Sequence, residues 1–362
     1  MQLLIISVVA WKMQLHRMQL PREVVVGNET LPLLSEICQR LGFCESALVV
    51  TGPDTKSIAG YRVIDLLTDK GMDVDCIIVI SSTLQEVYAV EERIKELKPQ
   101  IVLGVGGGTK IDVAKLGSTR QRTPFISVPT TASHDGIGSS VATVKGLDKP
   151  YSMIAQSPMA IVADTDVIVR SDYRFTASGC GDIISKFTSV RDWELAYKVK
   201  NEYYGEYAAS LALMSARLVT KNADSIKPGA EEGLRLVLEA LISCGVAMSI
   251  AGSSKPCSGS EHLFSHSLDL VESNGALHGE QCGVGTILMA YLYDLDWKGI
   301  KNTLQKTGAP TTAEELGVEP ESVIKALLQA CNIRPERYTI LNTKKLDYAS
   351  AKKLANITGV IP

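Results

Sequence analysis

"QIVLGVGGGTKIDVAK", residues 100–115, decides how the rest of the chain is read. Its first half is an apolar, β-branched run of the kind that forms a strand buried on both faces. Its second half opens a helix. The three glycines between them, Gly106, Gly107 and Gly108, let the backbone approach a pyrophosphate, and the helix N-terminus offers unpaired N–H groups and a positive dipole end. The run is neither GxGxxG nor a Walker A loop, so a glycine-rich turn without a ligand reads the same way in isolation. Its place after a buried strand favours phosphate binding.

The same pattern repeats on either side. "ALVVTG" (47–52), "DCIIVI" (75–80) and "PFISVPTT" (124–131) are further buried parallel strands, and "AIVADTDVIV" (160–169) adds strand structure. Helical segments lie between them. "TLPLLSEICQRLGF" places Leu34, Ile37 and Leu41 on one face, and "TLQEVYAVEERIKELK" follows the next strand. Strands alternating with helices imply βαβ units and a doubly wound sheet.

After about residue 172 the texture changes. "EYAASLALMSARLVTKNA", "AEEGLRLVLEALISCGVAMSIAG" and "CGVGTILMAYLYDLDW" are rich in Ala, Leu, Met and Glu and read as helices. The expected class is α/β: a doubly wound nucleotide-binding domain over 21–171, then a mostly α-helical metal and substrate domain over 172–362. Residues 1–20, where "MQL" occurs at Met1, Met13 and Met18, are expected to be an extension. The apolar start "MQLLIISVVA" is too short to span a membrane and lacks a basic leader.

With 362 residues the chain can build two cores, and 45% hydrophobic with 21% charged residues is ordinary for a globular protein. A formal net charge of -3 offers nothing to a polyanion, so nucleic acid is excluded as a partner. Eight scattered cysteines without a CxxC pair read as inert thiols in a reducing compartment. The expectation is a cytoplasmic protein without integral membrane contact.

Two further stretches carry chemistry. "VPTTASHDGIGSS" (128–140) ends a strand with the hydroxyls of Thr130, Thr131 and Ser133, followed by His134 and Asp135; a polar surface turn shares that composition. "SGSEHLFSHSLDLVESNGALHGE" (258–280) holds three of the five histidines. His262 and His266 share a helix face, and His278 can fold back towards them across a glycine-containing turn. "SGCGDIISK" (178–186) offers Asp182 at what reads as a glycine-flanked helix start. One aspartate and two histidines leave a zinc ion an open fourth position for substrate.

"GGGTKIDVAK", "PTTASHDG", "GCGDIISK", "GSEHLFSH" and "HGEQCG" occur in the order found in the iron- or zinc-dependent polyol dehydrogenases, a superfamily that includes glycerol dehydrogenase and 3-dehydroquinate synthase. The chain resembles that superfamily from about residue 21 onward, and within it the archaeal sn-glycerol-1-phosphate dehydrogenases. The resemblance implies reversible NADH- or NADPH-dependent reduction of dihydroxyacetone phosphate to sn-glycerol 1-phosphate, used for archaeal ether lipid backbones. It implies one zinc ion per subunit on Asp182, His262 and His278, polarising the ketone. His266 and Asp135 become the catalytic pair, and with Asp182 they contact substrate. Gly106, Gly107, Gly108, Thr109, Lys110, Thr130, Thr131, Ala132, Ser133 and Ser139 line the dinucleotide. His266 relays the proton, histidine being the side chain suited to neutral pH.

The partner expected is a small phosphorylated substrate, bound by a homo-oligomer. Lys145, Lys149 and Lys186 are the candidate phosphate grips. Strand "ALVVT" ends in Gly52-Pro53 with Asp54 slightly further on, which leaves room for the extra phosphate of NADPH. Glycerol dehydrogenase, a 3-dehydroquinate synthase-like lyase and a silent nucleotide-binding protein are the competing readings.

Overall fold

The computed structural model describes residues 16, 18–144, 151–272 and 275–362. Most of the expected extension therefore lies outside the described residues, as do Lys145 and Lys149. The strands are β1 (Glu23–Gly27), β2 (Ser46–Thr51), β3 (Asp73–Ile78), β4 (Ile101–Gly106), β5 (Phe125–Pro129), β6 (Val141–Val144), β7 (Tyr151–Ile154) and β8 (Ala160–Asp164). Six of them form one parallel sheet in the order β1-β8-β5-β4-β2-β3, and β6 and β7 make a separate antiparallel pair.

The central strands β4, β5 and β8 are buried at every residue, which is why they read as apolar runs, interrupted only by Ser127 and by Asp164 at the end of β8. Two expectations shift. The strand expected over 75–80 starts at Asp73, because its register with β2 sets Asp73 opposite Ser46. The run 160–169 is a strand only as far as Asp164. There the side chain accepts from the amides of Asp166 (3.1 Å) and Leu31 (2.9 Å), and the chain turns into a short helical segment, Thr165–Ile168. β1, which pairs with β8 alone, and the β6–β7 hairpin were not anticipated.

The helices of seven residues or more are α1 (Leu34–Arg40), α2 (Tyr61–Thr68), α3 (Leu84–Leu97), α4 (Gly108–Arg120), α5 (Tyr173–Ile184), α6 (Lys186–Lys200), α7 (Glu206–Lys221), α8 (Glu231–Ala251), α9 (Ser260–Val271), α10 (His278–Leu292), α11 (Trp297–Lys306), α12 (Pro320–Ile333) and α13 (Tyr348–Ile357). Beyond residue 172 there is no strand among the described residues. Among the described residues, α8 alone is long and apolar enough to cross a membrane, and 67% of its most apolar window is buried inside the molecule. Its hydrophobicity is that of a core helix.

Asp182 is not at a helix start. α5 begins at Tyr173, capped by the Asp172 carboxylate on the Arg174 amide, and Asp182 sits near its C-terminal end. The glycines that suggested a start have a packing cause. A Cβ on Gly179 would meet the Ala132 carbonyl oxygen at 2.1 Å, and one on Gly181 would meet that of Gly279 at 2.2 Å. A Cβ on Gly279 would in turn stand 2.0 Å from the Ser178 carbonyl oxygen. α5 and α10 therefore cross backbone against backbone, which brings Asp182 beside His278.

Candidate active site

β2 leads on to β3 at one side of the sheet, whereas β4 leads on to β5 at the other, so the connections diverge between β2 and β4. Ligands of open α/β sheets bind in the crevice at such a switch point. A cavity of about 950 Å³ lies there, and it extends from Asp54 and Gly107 to the histidines of α9 and α10.

Gly107, Gly108, Thr109, Lys110, Thr130, Thr131, Ser133, Asp135 and Ser139 line it, as do His262, His266 and His278. Gly106 and Ala132 stand behind the wall. Gly106 has φ +155°, and a Cβ there would come within 2.9 Å of the Lys110 side chain. A Cβ on Gly108 would lie 1.6 Å from His134 Nε2. The close approach at the start of α4 thus depends on glycine, and the amides of that first turn have no carbonyl of their own helix to bond. Thr130 Oγ1 is buried without a hydrogen-bond partner among the described residues, a deficit that a ligand in the cavity would satisfy. Both features fit a dinucleotide. The Ser139 hydroxyl is engaged with the Val141 backbone, donating to its carbonyl at 3.0 Å.

The metal-type donors meet at the other end. His262 Nδ1 is 2.9 Å from Glu261 Oε1, so it carries the proton and Nε2 presents its lone pair. Ser265 donates to Gln281 at 2.6 Å and therefore accepts from His278 Nδ1 at 3.1 Å, which frees His278 Nε2 as well. Burial, followed by the Lys186 charge, pushes His262 down to about 3. Burial and the neighbouring His262 push His278 down to about 3. Both rings are neutral and able to ligate.

Asp182 is fully buried behind them, with Oδ1 3.6 Å from His262 Nε2. Neighbouring donors around a tetrahedral ion with bonds of ~2.0–2.1 Å stand roughly 3.3 Å apart. Burial alone would raise the Asp182 carboxyl, yet the Lys186 ammonium at 2.7 Å holds it well below the usual carboxylate range. Cys282 is a rival third donor, since its Sγ groups with His262 and His278 within 4.8 Å. Burial and the charges of Asp182 and Glu261 push that thiol well up, whereas Asp182 is already anionic. Two imidazole nitrogens and a carboxylate oxygen are the donor chemistry of an open zinc site.

Lys186 is fully buried and spends its ammonium on Asp182, on Asp135 at 2.9 Å and on the Cys257 carbonyl at 3.2 Å. It is a counterion of the site, engaged with two carboxylates and a carbonyl. The Asp135 amide donates to Asp182 Oδ2 at 2.8 Å, tying the loop after β5 to α5. Burial and Asp182 raise the Asp135 carboxyl. His266 stacks on His278 at 5.6 Å, and burial with its histidine neighbours drives it well below the ordinary histidine range. It is thereby held as a neutral hydrogen-bonding group.

Sequence reading missed Glu261, Ser265 and Glu280. Glu261 and Glu280 stand within two residues of a singled-out histidine, and that adjacency was the available signal. Glu280 takes a two-pronged bond from Arg174, at 2.6 and 2.7 Å, and its Oε2 also accepts from the Leu277 amide at 2.7 Å, so it anchors the start of α10.

Residues 25–171 match the family model described as iron-containing alcohol dehydrogenase. A curated relative, "Glycerol-1-phosphate dehydrogenase [NAD(P)+]" of Methanosarcina mazei, is 54% identical over 95% of this chain and 96% of its own. One of the same name from Pyrococcus furiosus is 53% identical over 96% of this chain and all of its own. Among solved structures, glycerol dehydrogenase from Schizosaccharomyces pombe superposes with a TM-score of 0.79 at 23% identity, covering 95% of this chain and 90% of the other. A probable glycerol dehydrogenase from Sinorhizobium meliloti gives 0.77 at 20% identity, with 96% and 100% covered. These two likenesses concern the fold alone.

Proposed function

Because this chain belongs to the glycerol-1-phosphate dehydrogenase family, within the iron-containing alcohol dehydrogenases, we infer that it reduces dihydroxyacetone phosphate reversibly to sn-glycerol 1-phosphate with NADH or NADPH. The product is the backbone of archaeal ether lipids. The observation that carries the reading is identity above half, over nearly the whole length of both chains, in a molecule that gathers Asp182, His262 and His278 at the end of a dinucleotide-sized cavity.

Asp182, His262 and His278 are proposed to hold one zinc ion, supported by their free lone pairs and donor spacing. A metal on these donors supplies Lewis acidity to the substrate oxygen, and the nicotinamide supplies the hydride. The chain's own residues do the rest. Glu261 and Ser265 fix the two ring orientations, and Lys186 keeps the Asp182 carboxylate charged. His266 and Asp135, both on the cavity wall, are proposed to orient the substrate and pass the proton. Gly106 to Lys110 and Thr130 to Ser133 are proposed to hold the dinucleotide, with Ser139 beside them. Residues 21–171 form the dinucleotide domain in this reading, and 172–362 the metal and substrate domain. A cytoplasmic homo-oligomer without integral membrane contact completes it.

The test is a substrate panel of dihydroxyacetone phosphate, dihydroxyacetone and glycerol with each nicotinamide, alongside metal analysis. Net oxidation of NAD(P)H with the phosphate ester and a pure sn-1 product are expected. Equal efficiency on dihydroxyacetone, or an sn-3 product, would overturn the reading.

A further inference from the structure

Bonded to two serines of the cavity wall is a cation that the site described above does not use. Arg337 lies just beyond α12 and donates to Ser258 and Ser254: its guanidinium bonds the Ser258 carbonyl, Ser258 Oγ at 3.0 Å and Ser254 Oγ at 2.9 Å. All of these acceptors are neutral, and no carboxylate is paired with Arg337 among the described residues. Burial and the neighbouring Arg334 push the guanidinium down to about 10, which still leaves it charged at neutral pH. A half-buried cation with no carboxylate bonded to it is open to pairing with an anion that arrives.

Ser254 and Ser258 both line the cavity, as do His262 and His266. Each hydroxyl accepts from the guanidinium and so keeps its own proton to give. Among the described residues, neither donates that proton to a protein acceptor. Two O–H groups polarised by one cation suit the several oxygens of a phosphate monoester. The start of α9 does not compete for the same task, because its Gly259 and Ser260 amides are committed to Glu261 (2.7 Å) and Asp192 (2.6 Å). Ser258 lies four residues before His262, and a three-carbon substrate needs its phosphate seat beside the metal donors, not across the cavity from them.

We propose that Ser254 and Ser258 bind the phosphate of the substrate and that Arg337 is the positioning residue that orients both hydroxyls. The proposal rests on the dihydroxyacetone phosphate reading and names the grip that the lysines do not supply. The competing source of a phosphate monoester is the 2′-phosphate of NADPH. The cavity places the two serines with the histidines, whereas Asp54 and Gly107 line its dinucleotide portion.

The experiment uses the zinc-loaded enzyme and the Ser254→Ala/Ser258→Ala double variant, with inorganic phosphate as a second probe. KM for dihydroxyacetone phosphate should rise by at least about 100-fold, as expected for the loss of two bonds to a charged group. The preference over dihydroxyacetone should fall by a similar factor, and inhibition by inorganic phosphate should weaken in parallel. Arg337→Met should raise the same KM with wild-type zinc content, and Arg337→Lys should recover part of it. Unchanged KM and phosphate inhibition in the serine variant would overturn the proposal, as would a rise in KM confined to NADPH. Failure of the unaltered enzyme to reduce dihydroxyacetone phosphate would strike the functional reading instead, and inorganic phosphate binding by the two serine forms would then decide the seat by itself.

Discussion

The carboxylate of Asp182 and the ammonium of Lys186 stand 2.7 Å apart in full burial, one helical turn from each other along the chain. Asp135 closes on the same ammonium at 2.9 Å, so one lysine offsets two acids. With both carboxyls ionised, the trio keeps one net negative charge for a metal cation to offset, and the stability of the site rests on the balance among the three.

Lys186→Met should expose that balance. Two carboxylates would be left in the interior without their cation, at a cost of about 3–5 kcal/mol. Urea unfolding of the metal-free protein should show the loss, and added zinc should return part of it by replacing the missing charge. A loss untouched by zinc would mean that the lysine matters to packing alone.

Asp182→Asn should remove most of the bound zinc and nearly all activity while the far-ultraviolet circular dichroism is retained. The amide keeps the size of the side chain but neither its charge nor its pull on Lys186. Elemental analysis of the purified variant is the check. Full metal occupancy would reassign the third ligand, with Cys282 as the alternative.

Gly279→Val probes the crossing of α5 and α10, where even a Cβ would come 2.0 Å from the Ser178 carbonyl oxygen. Separating the two backbones should cost more than about 2 kcal/mol and weaken metal binding together with stability, because Asp182 and His278 ride on opposite sides of the contact. Thermal melts with and without zinc would test this, and a neutral result would show that the helices can slide apart freely.

Asp54 lines the cavity close enough to Lys110 to act on its charge. Acceptance of both NADH and NADPH is expected of the unaltered enzyme. Asp54→Ser should move the ratio of kcat/KM values roughly tenfold towards NADPH by removing like-charge repulsion. An unmoved ratio would place the ribose elsewhere.

Much of this was legible in the sequence because buried parallel strands leave an unambiguous mark. β4 and β5 are buried at every residue and apolar apart from Ser127, and the loops they deliver carry Gly107, Gly108, Thr130 and Thr131 to the cavity. His262 and His266 were legible from their spacing on one helix. Asp182 was found but misplaced, since a glycine that lets a neighbouring carbonyl in looks like one that ends a turn. Lys186 was read as a candidate phosphate grip, because burial of a charge depends on partners distant in sequence, here Asp135. Arg337 left no local signal at all, since its acceptors Ser254 and Ser258 lie far back along the chain and meet it only through tertiary packing.

The pairing of β1 with β8 also sets a timetable for synthesis. Val24 lies opposite Ile161 and Val25 opposite Val162, so the first strand has no sheet neighbour until the last of the six has left the ribosome. At about 5–20 residues per second that interval is on the order of ten seconds or more. During it, the β2–β5 core can assemble from near neighbours, while Glu23–Gly27 stays an unpaired apolar strip that other chains could capture. A nascent chain stalled shortly before Ala160 should therefore be markedly more protease-sensitive and aggregation-prone at its N-terminal end than one stalled well beyond Asp164.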